Sequence, residues 1–150
     1  MAADDHPVLF TVGHSDRSGQ ELVELLRAAG VRVVVDVRSH PWSRRHPWHG
    51  RTEMEKLLRE SGIEYRWLGA TLGGHRPDGY ATHRDTETYR RGLEELLQLA
   101  RLRTAALLCA EREPWHCHRR FIADDAMRRG FIVRHILDEQ TLVPHQKPLL

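Results

Sequence analysis

Apolar residues recur along this chain in two rhythms. Residues 8–12, 31–37, 105–108 and 131–137 form compact, mainly apolar runs that read as strands, and 31–37, β-branched and nearly continuous, as one buried on both faces. Between them the apolar positions take helical spacing. Leu22, Val23, Leu25, Leu26 and Ala29 mark one amphipathic stretch, and Tyr89, Leu93, Leu96, Leu97 and Ala100 another. Ser18 with Glu21 has capping-box spacing, and Gly30 ends that helix. A second helix is expected from a Thr52 cap to Ser61, closed by Gly62, and a less marked strand at 64–68. A third helix runs from Thr86 to about Arg101, and a fourth from Cys117 to Arg129, closed by Gly130. Residues 38–52 and 69–85 read as long loops, residues 1–7 as a frayed start and 138–150 as a short tail.

Strand alternates with helix throughout. The pattern predicts a single α/β domain over 1–150, with its core at about 8–137. A mainly parallel five-stranded sheet carries helices on both faces, a Rossmann-like three-layer sandwich. Ligands of such folds bind beyond the carboxyl ends of the strands. The polar, reactive residues fall there: His14 and Ser15 after the first strand, Asp36 and Arg38 after the second, and Gly73 and Gly74 after the third. Cys109, Glu111, Cys117, His118 and Arg119 follow the fourth. The turns at the opposite edge, around Gly30, Gly62 and Arg103, are plain.

Composition narrows the class. With 150 residues and 40% hydrophobic positions, one core can form without disulfides or a metal. No apolar run of about 18 residues exists to cross a membrane. Two cysteines and no signal segment lead us to expect a cytoplasmic protein with reduced thiols. Net charge is only +2, so any anion affinity must come from local clustering. The 11 histidines make charge sensitive to pH near neutrality.

The clusters suggest chemistry. Residues 38–52 hold Arg38, Arg44, Arg45 and Arg51 with Trp42 and Trp48, and no acidic residue. Guanidiniums pair with phosphate oxygens, and indoles stack on bases. A solvated loop with packed tryptophans is the bland alternative. The start of the fourth helix attracts anions and lowers the pKa of a nearby thiol. The expected ligand is therefore phosphate-bearing, a nucleotide or nucleic acid. Ser15, Arg38, Ser43, Arg44, Gly73, Gly74 and Arg119 would bind it. His14, Asp36, Glu111, Cys117 and His118 are candidates for acid–base or nucleophilic work. Asp36 and Arg38 equally suit an internal ion pair. The alternatives are an enzyme using a Cys117 thiolate or a metal, and a non-catalytic nucleic-acid-binding module. The Cys-x5-Arg cradle of thiol phosphatases is absent, since Trp115 and Ala123 stand six residues after the two cysteines. Cys-x7-Cys is not a usual zinc spacing. Cys109 alone suits a small core residue. The sequence names no cofactor, reaction or oligomeric state.

Five ordered motifs resemble one family. They are Thr11-Val12-Gly13-His14-Ser15; Asp36-Val37-Arg38 with Pro41, Ser43 and Arg44; Tyr65, Trp67-Leu68-Gly69 and Leu72-Gly73-Gly74; Cys109, Glu111, Pro114 and Cys117-His118-Arg119; and His135-Ile136. Together they resemble the family catalogued as domain of unknown function 488, over about 8–137. The resemblance implies a compact α/β domain and carries no established activity. The stretch Arg45-His46-Pro47-Trp48-His49 departs from the family pattern.

Overall fold

A computed structural model describes residues 6–42 and 47–146. Ser43 and Arg44, two of the expected ligand contacts, lie outside the described residues, as do Arg45 and His46. The described elements are β1 (Val8–Gly13), α1 (Gly19–Ala28), β2 (Val33–Asp36), α2 (Arg51–Glu60), β3 (Glu64–Trp67), α3 (Gly69–Leu72), α4 (Tyr80–Arg84), α5 (Glu87–Leu102), β4 (Ala105–Cys109), α6 (Arg119–Arg128), β5 (Ile132–Ile136) and β6 (Leu142–Pro144). Single 3₁₀ turns at Pro47–His49 and Pro114–His116 precede α2 and α6.

The local chemistry expected at the helix starts is present at two of them. Ser18 and Glu21 form the reciprocal capping box of α1. Thr86 Oγ1 accepts the Tyr89 N–H at the start of α5. The second helix starts earlier than expected. Gly50 stands at its cap position with no side-chain bond, and Thr52 lies inside the helix.

The sheet order is β3-β2-β4-β1-β5-β6. All neighbours are parallel except the last pair. Five parallel strands match the expectation. The sixth is an addition: residues 142–144 pair antiparallel with β5, inside the segment expected to be a plain tail. A three-residue strand ending in a proline carries too little periodicity to announce itself.

Alternation sorts the buried side chains to two faces. Phe10, Val12, Val34, Ala106 and Leu108 pack with α1 and α2 residues such as Leu22, Leu26 and Leu58. Leu9, Val33, Val35, Leu107 and Cys109 pack with α5 and α6 residues such as Leu96, Leu97 and Ile122. The connection from β1 therefore leaves over one face, toward β2. The connection from β4 leaves over the other, toward β5. Adjacent parallel strands whose connections diverge open a crevice at their carboxyl ends, the preferred ligand position in this architecture.

Candidate functional site at the switch between the first and fourth strands

A pocket of about 510 Å³ occupies that crevice. His14, Arg38, Gly74, Glu111, Cys117 and His118 line it, with Cys109, Ser39 and His75. Its size suits a small molecule. The expected convergence of separate loops is found for those side chains. Asp36 and Arg119 sit beneath the lining, both 0% exposed. Ser15 and Gly73 adjoin it without lining it.

At the β1 end, the ladder with β4 runs on past the strands. The His14 N–H donates to the Cys109 carbonyl, and the Ser15 N–H donates to that of Ala110, both at 2.9 Å. Ser15 has φ of 47°, a left-handed conformation uncommon outside glycine. Gly13 is required by space: a Cβ there would fall on the Glu111 backbone carbonyl. His14 Nδ1 donates to the Ser15 carbonyl at 3.0 Å, and its ring stacks on His49 at 4.1 Å. Burial lowers His14 to about 4 against that hydrogen bond, with Arg38 and His49 adding to the drop.

At the β2 end, Asp36 and Arg38 form a two-pronged ion pair. Arg38 Nε donates to Asp36 Oδ1 at 2.8 Å and Nη2 to Oδ2 at 2.7 Å. The Arg38 amide and the Tyr65 hydroxyl complete the carboxylate, at 3.1 and 2.5 Å. Arg38 Nη1 donates to the His49 carbonyl at 2.6 Å. Burial opposes the Arg38 charge, but the bond and charge of Asp36 outweigh it and hold the guanidinium protonated. Burial and Asp36 push the Tyr65 phenol well above its ordinary range. Both Asp36 oxygens and all three Arg38 guanidinium nitrogens have partners within the protein; the pair ties β2, β3 and the following loop together. In that loop, Trp48 Nε1 donates to the Arg17 carbonyl at 3.2 Å, while Trp42 is 68% exposed at the pocket mouth.

The β4 end differs. Arg119, at the start of α6, reaches back under the pocket. Its Nη1 donates to Cys109 Sγ at 2.9 Å and to the Glu111 carbonyl at 2.7 Å. Its Nη2 donates to the Arg112 carbonyl at 2.7 Å, and its buried Nε has no acceptor among the described residues. Cys117 Sγ donates to Cys109 Sγ across 2.8 Å and receives the Arg119 amide at 3.4 Å. Burial raises the Cys109 thiol, but the bond from Cys117 and the charge of Arg119 outweigh it and bring it below its ordinary value. The bond to Cys109 and burial push Cys117 far up. The pair thus loses one proton readily and holds the second. Sequence position pointed to Cys117, nearest the helix start, as the charged thiol. In the structure the guanidinium folds back toward the strand and bonds the Cys109 sulfur, while Cys117 receives only the Arg119 amide.

His118 closes the site. Its Nε2 donates to the Val37 carbonyl at 2.9 Å, which leaves Nδ1 as an acceptor 3.5 Å from Cys117 Sγ. Burial lowers His118 to about 4 against that bond, helped by Arg119 and Arg76. Gly74 lets the imidazole in: a Cβ there would lie 2.6 Å from His118 Nδ1. Gly73 ends α3 and packs on Ser39, whose Oγ accepts the His75 amide at 2.9 Å. Among the described residues no group of three or more His, Cys, Asp or Glu side chains is placed to hold a metal. Ser39 and His75 line the pocket without having been among the expected site residues; both lie in loops with no periodic signal.

The molecule is thus a doubly wound α/β domain with a dithiol and two neutral imidazoles at its topological switch. The family model described as domain of unknown function DUF488 matches residues 18–126, and the chain belongs to that family. That span contains the second, third and fourth motifs; the first and fifth flank it. Neither the curated proteins nor the solved structures contain a match to this chain.

Proposed function

We propose that this protein is a thiol-dependent enzyme acting on a small molecule in the switch-point pocket, with the Cys109 thiolate as the nucleophile. One observation carries this. Arg119 is fully buried, and among the described residues no carboxylate pairs with it. A buried cation needs a compensating anion, and the Cys109 sulfur is the ionisable group at bonding distance. Thiolates, not thiols, are the nucleophilic form. Glu111 at the rim and the neutral His14 and His118 are the acid–base groups at hand.

The ultraviolet absorbance of the thiolate, followed against pH on the reduced protein, tests this without needing reagent access. One thiol should ionise well below the ordinary value of about 8.5. Cys109→Ala should abolish that transition, and Arg119→Met should move it up. Two ordinary or raised transitions would refute the assignment.

A phosphate-bearing ligand is the second reading, favoured by Arg76. Its guanidinium meets only the carbonyls of Gly73, Gly69 and Ala70 among the described residues, so no carboxylate cancels its charge beside the pocket. Calorimetric titration with inorganic phosphate, mononucleotides and a short single-stranded oligonucleotide would separate the ligand classes. Binding should weaken with salt and weaken several-fold in Arg76→Gln. If no phosphate-bearing probe binds at low salt, this reading fails. Binding of the oligonucleotide alone would assign the surface to nucleic acid instead.

A further inference from the structure

The Cys117 S–H helps to lower the Cys109 thiol, and its sulfur lies 2.8 Å from the one it serves. We propose that Cys109 and Cys117 are the two thiols of a peroxide-reducing centre, in which Cys109 attacks a small hydroperoxide and Cys117 resolves the product as an internal disulfide. The inference rests on the thiolate reading above and adds the substrate class and the second cysteine's role.

Access selects the oxidant. Cys109 is 1% exposed and Cys117 9%, and both line the pocket. A protein disulfide cannot approach a sulfur so enclosed. A hydroperoxide presents only two linked oxygens, which the pocket admits. The immediate surroundings suit the bond changes. The Cys109 thiolate attacks the terminal oxygen, the O–O bond breaks, and the departing alkoxide or hydroxide takes a proton from water. Arg119, bonded to the attacking sulfur at 2.9 Å, favours that sulfur as the thiolate. Cys109 is then a sulfenic acid.

The second step needs a thiol in place, and Cys117 is there. Its S–H donates to Cys109 in the resting pair, and His118 Nδ1 is an acceptor 3.5 Å away. Cys117 sulfur attacks Cys109 sulfur, the S–O bond breaks, and the Cys117 proton leaves with the hydroxide as water. The balance is two thiols and one hydroperoxide in, one disulfide, one alcohol and one water out. A low-molecular-weight dithiol returns the pair to its starting state. The arrangement also explains why the two cysteines face one another in a core where apolar side chains would pack as well.

The experiment is anaerobic oxidation of the reduced, full-length protein by stoichiometric hydrogen peroxide or cumene hydroperoxide, followed by intact mass and peptide mapping. Loss of two hydrogens and a Cys109–Cys117 cross-link are expected. Ionisation alone should make the reaction about 30-fold faster at neutral pH than that of an ordinary thiol. Cys117→Ser should stop at a Cys109 sulfenic acid that dimedone traps. Cys109→Ser should oxidise no faster than an ordinary thiol. Circular dichroism of both variants shows whether they remain folded. A peroxide rate no greater than that of the urea-unfolded protein would overturn the inference. So would oxidation that stops at sulfenic acid in the unaltered protein. If Cys109 ionises low while either result is found, the thiolate reading stands and the peroxide chemistry falls. If no thiol ionises low, both fall.

Discussion

The corners after β2 and β4 each bury an arginine that the sequence marked for a phosphate, and the two arginines have different fates. Arg38 lies against the Asp36 carboxylate, with Tyr65 and the His49 carbonyl completing the set. Arg119 lies against a thiol and two carbonyls. A carboxylate held against a guanidinium keeps its charge at pH 7, so the first pair is a permanent strut. A thiol takes or yields its proton near neutrality, so the second partnership can change. Burial and positive charge are common to both corners. Under the function proposed above, the proton affinity of the partner makes one corner structural and the other reactive.

The sharpest way to break this comparison is to remove each guanidinium while keeping its bulk. In Arg38→Met the Asp36 carboxylate is left in the core without its cation. A loss of about 3–5 kcal/mol in urea unfolding is expected. In Arg119→Met the Cys109 thiol takes its proton at little cost, and only the guanidinium's hydrogen bonds are lost. About 1–3 kcal/mol should go. Equal losses would mean that Arg119 is a strut as well.

Acidification acts on the imidazoles that line the pocket. His14 and His118 are neutral in the fold, lowered from 6.5 to about 4 chiefly by burial. In the unfolded chain they gain protons below pH 6.5. Their contribution to stability is therefore complete above pH 6.5 and falls as pH drops toward 4, by roughly 3 kcal/mol for each ring, and the buried His135, lowered to about 3, acts in the same direction. Urea midpoints measured across this range check the total. Loss of the slope in His14→Asn or His118→Asn would apportion it. The smallest expected effect is at the loop after β2. Trp48→Phe removes one hydrogen bond to the Arg17 carbonyl and should cost about 1 kcal/mol. Trp42→Phe, at an exposed position, should leave the unfolding midpoint nearly unchanged.

Much of the frame was legible before any coordinates. The nearly continuous β-branched run Val31–Val37 and the capped amphipathic stretches predict buried strands and covering helices, and the one-sided polar loops mark the ligand edge. What escaped was short or tertiary. The helices α3 and α4 lie in 69–85, where glycines and a proline interrupt any period. The partner of Arg119 escaped for another reason. The turn at Pro114–His116 and the two-residue step into α6 decide which sulfur the guanidinium reaches, and spacing along the chain does not encode that. The Asp36–Arg38 pair was readable as one of two options because two residues of strand place both side chains on one face.

The unforeseen β6 has a consequence for how copies of this chain treat one another. A parallel sheet that stopped at β5 would offer unsatisfied backbone groups along that strand, an invitation to strand-by-strand growth between molecules. Instead the margin is a three-residue strand ending at Pro144, which has no amide hydrogen to donate. The other margin, β3, is four residues long and carries the charged Glu64 and Arg66. Both borders of the sheet are thus brief and poorly suited to templating a fibre, so fully native chains should resist self-templated assembly at high concentration.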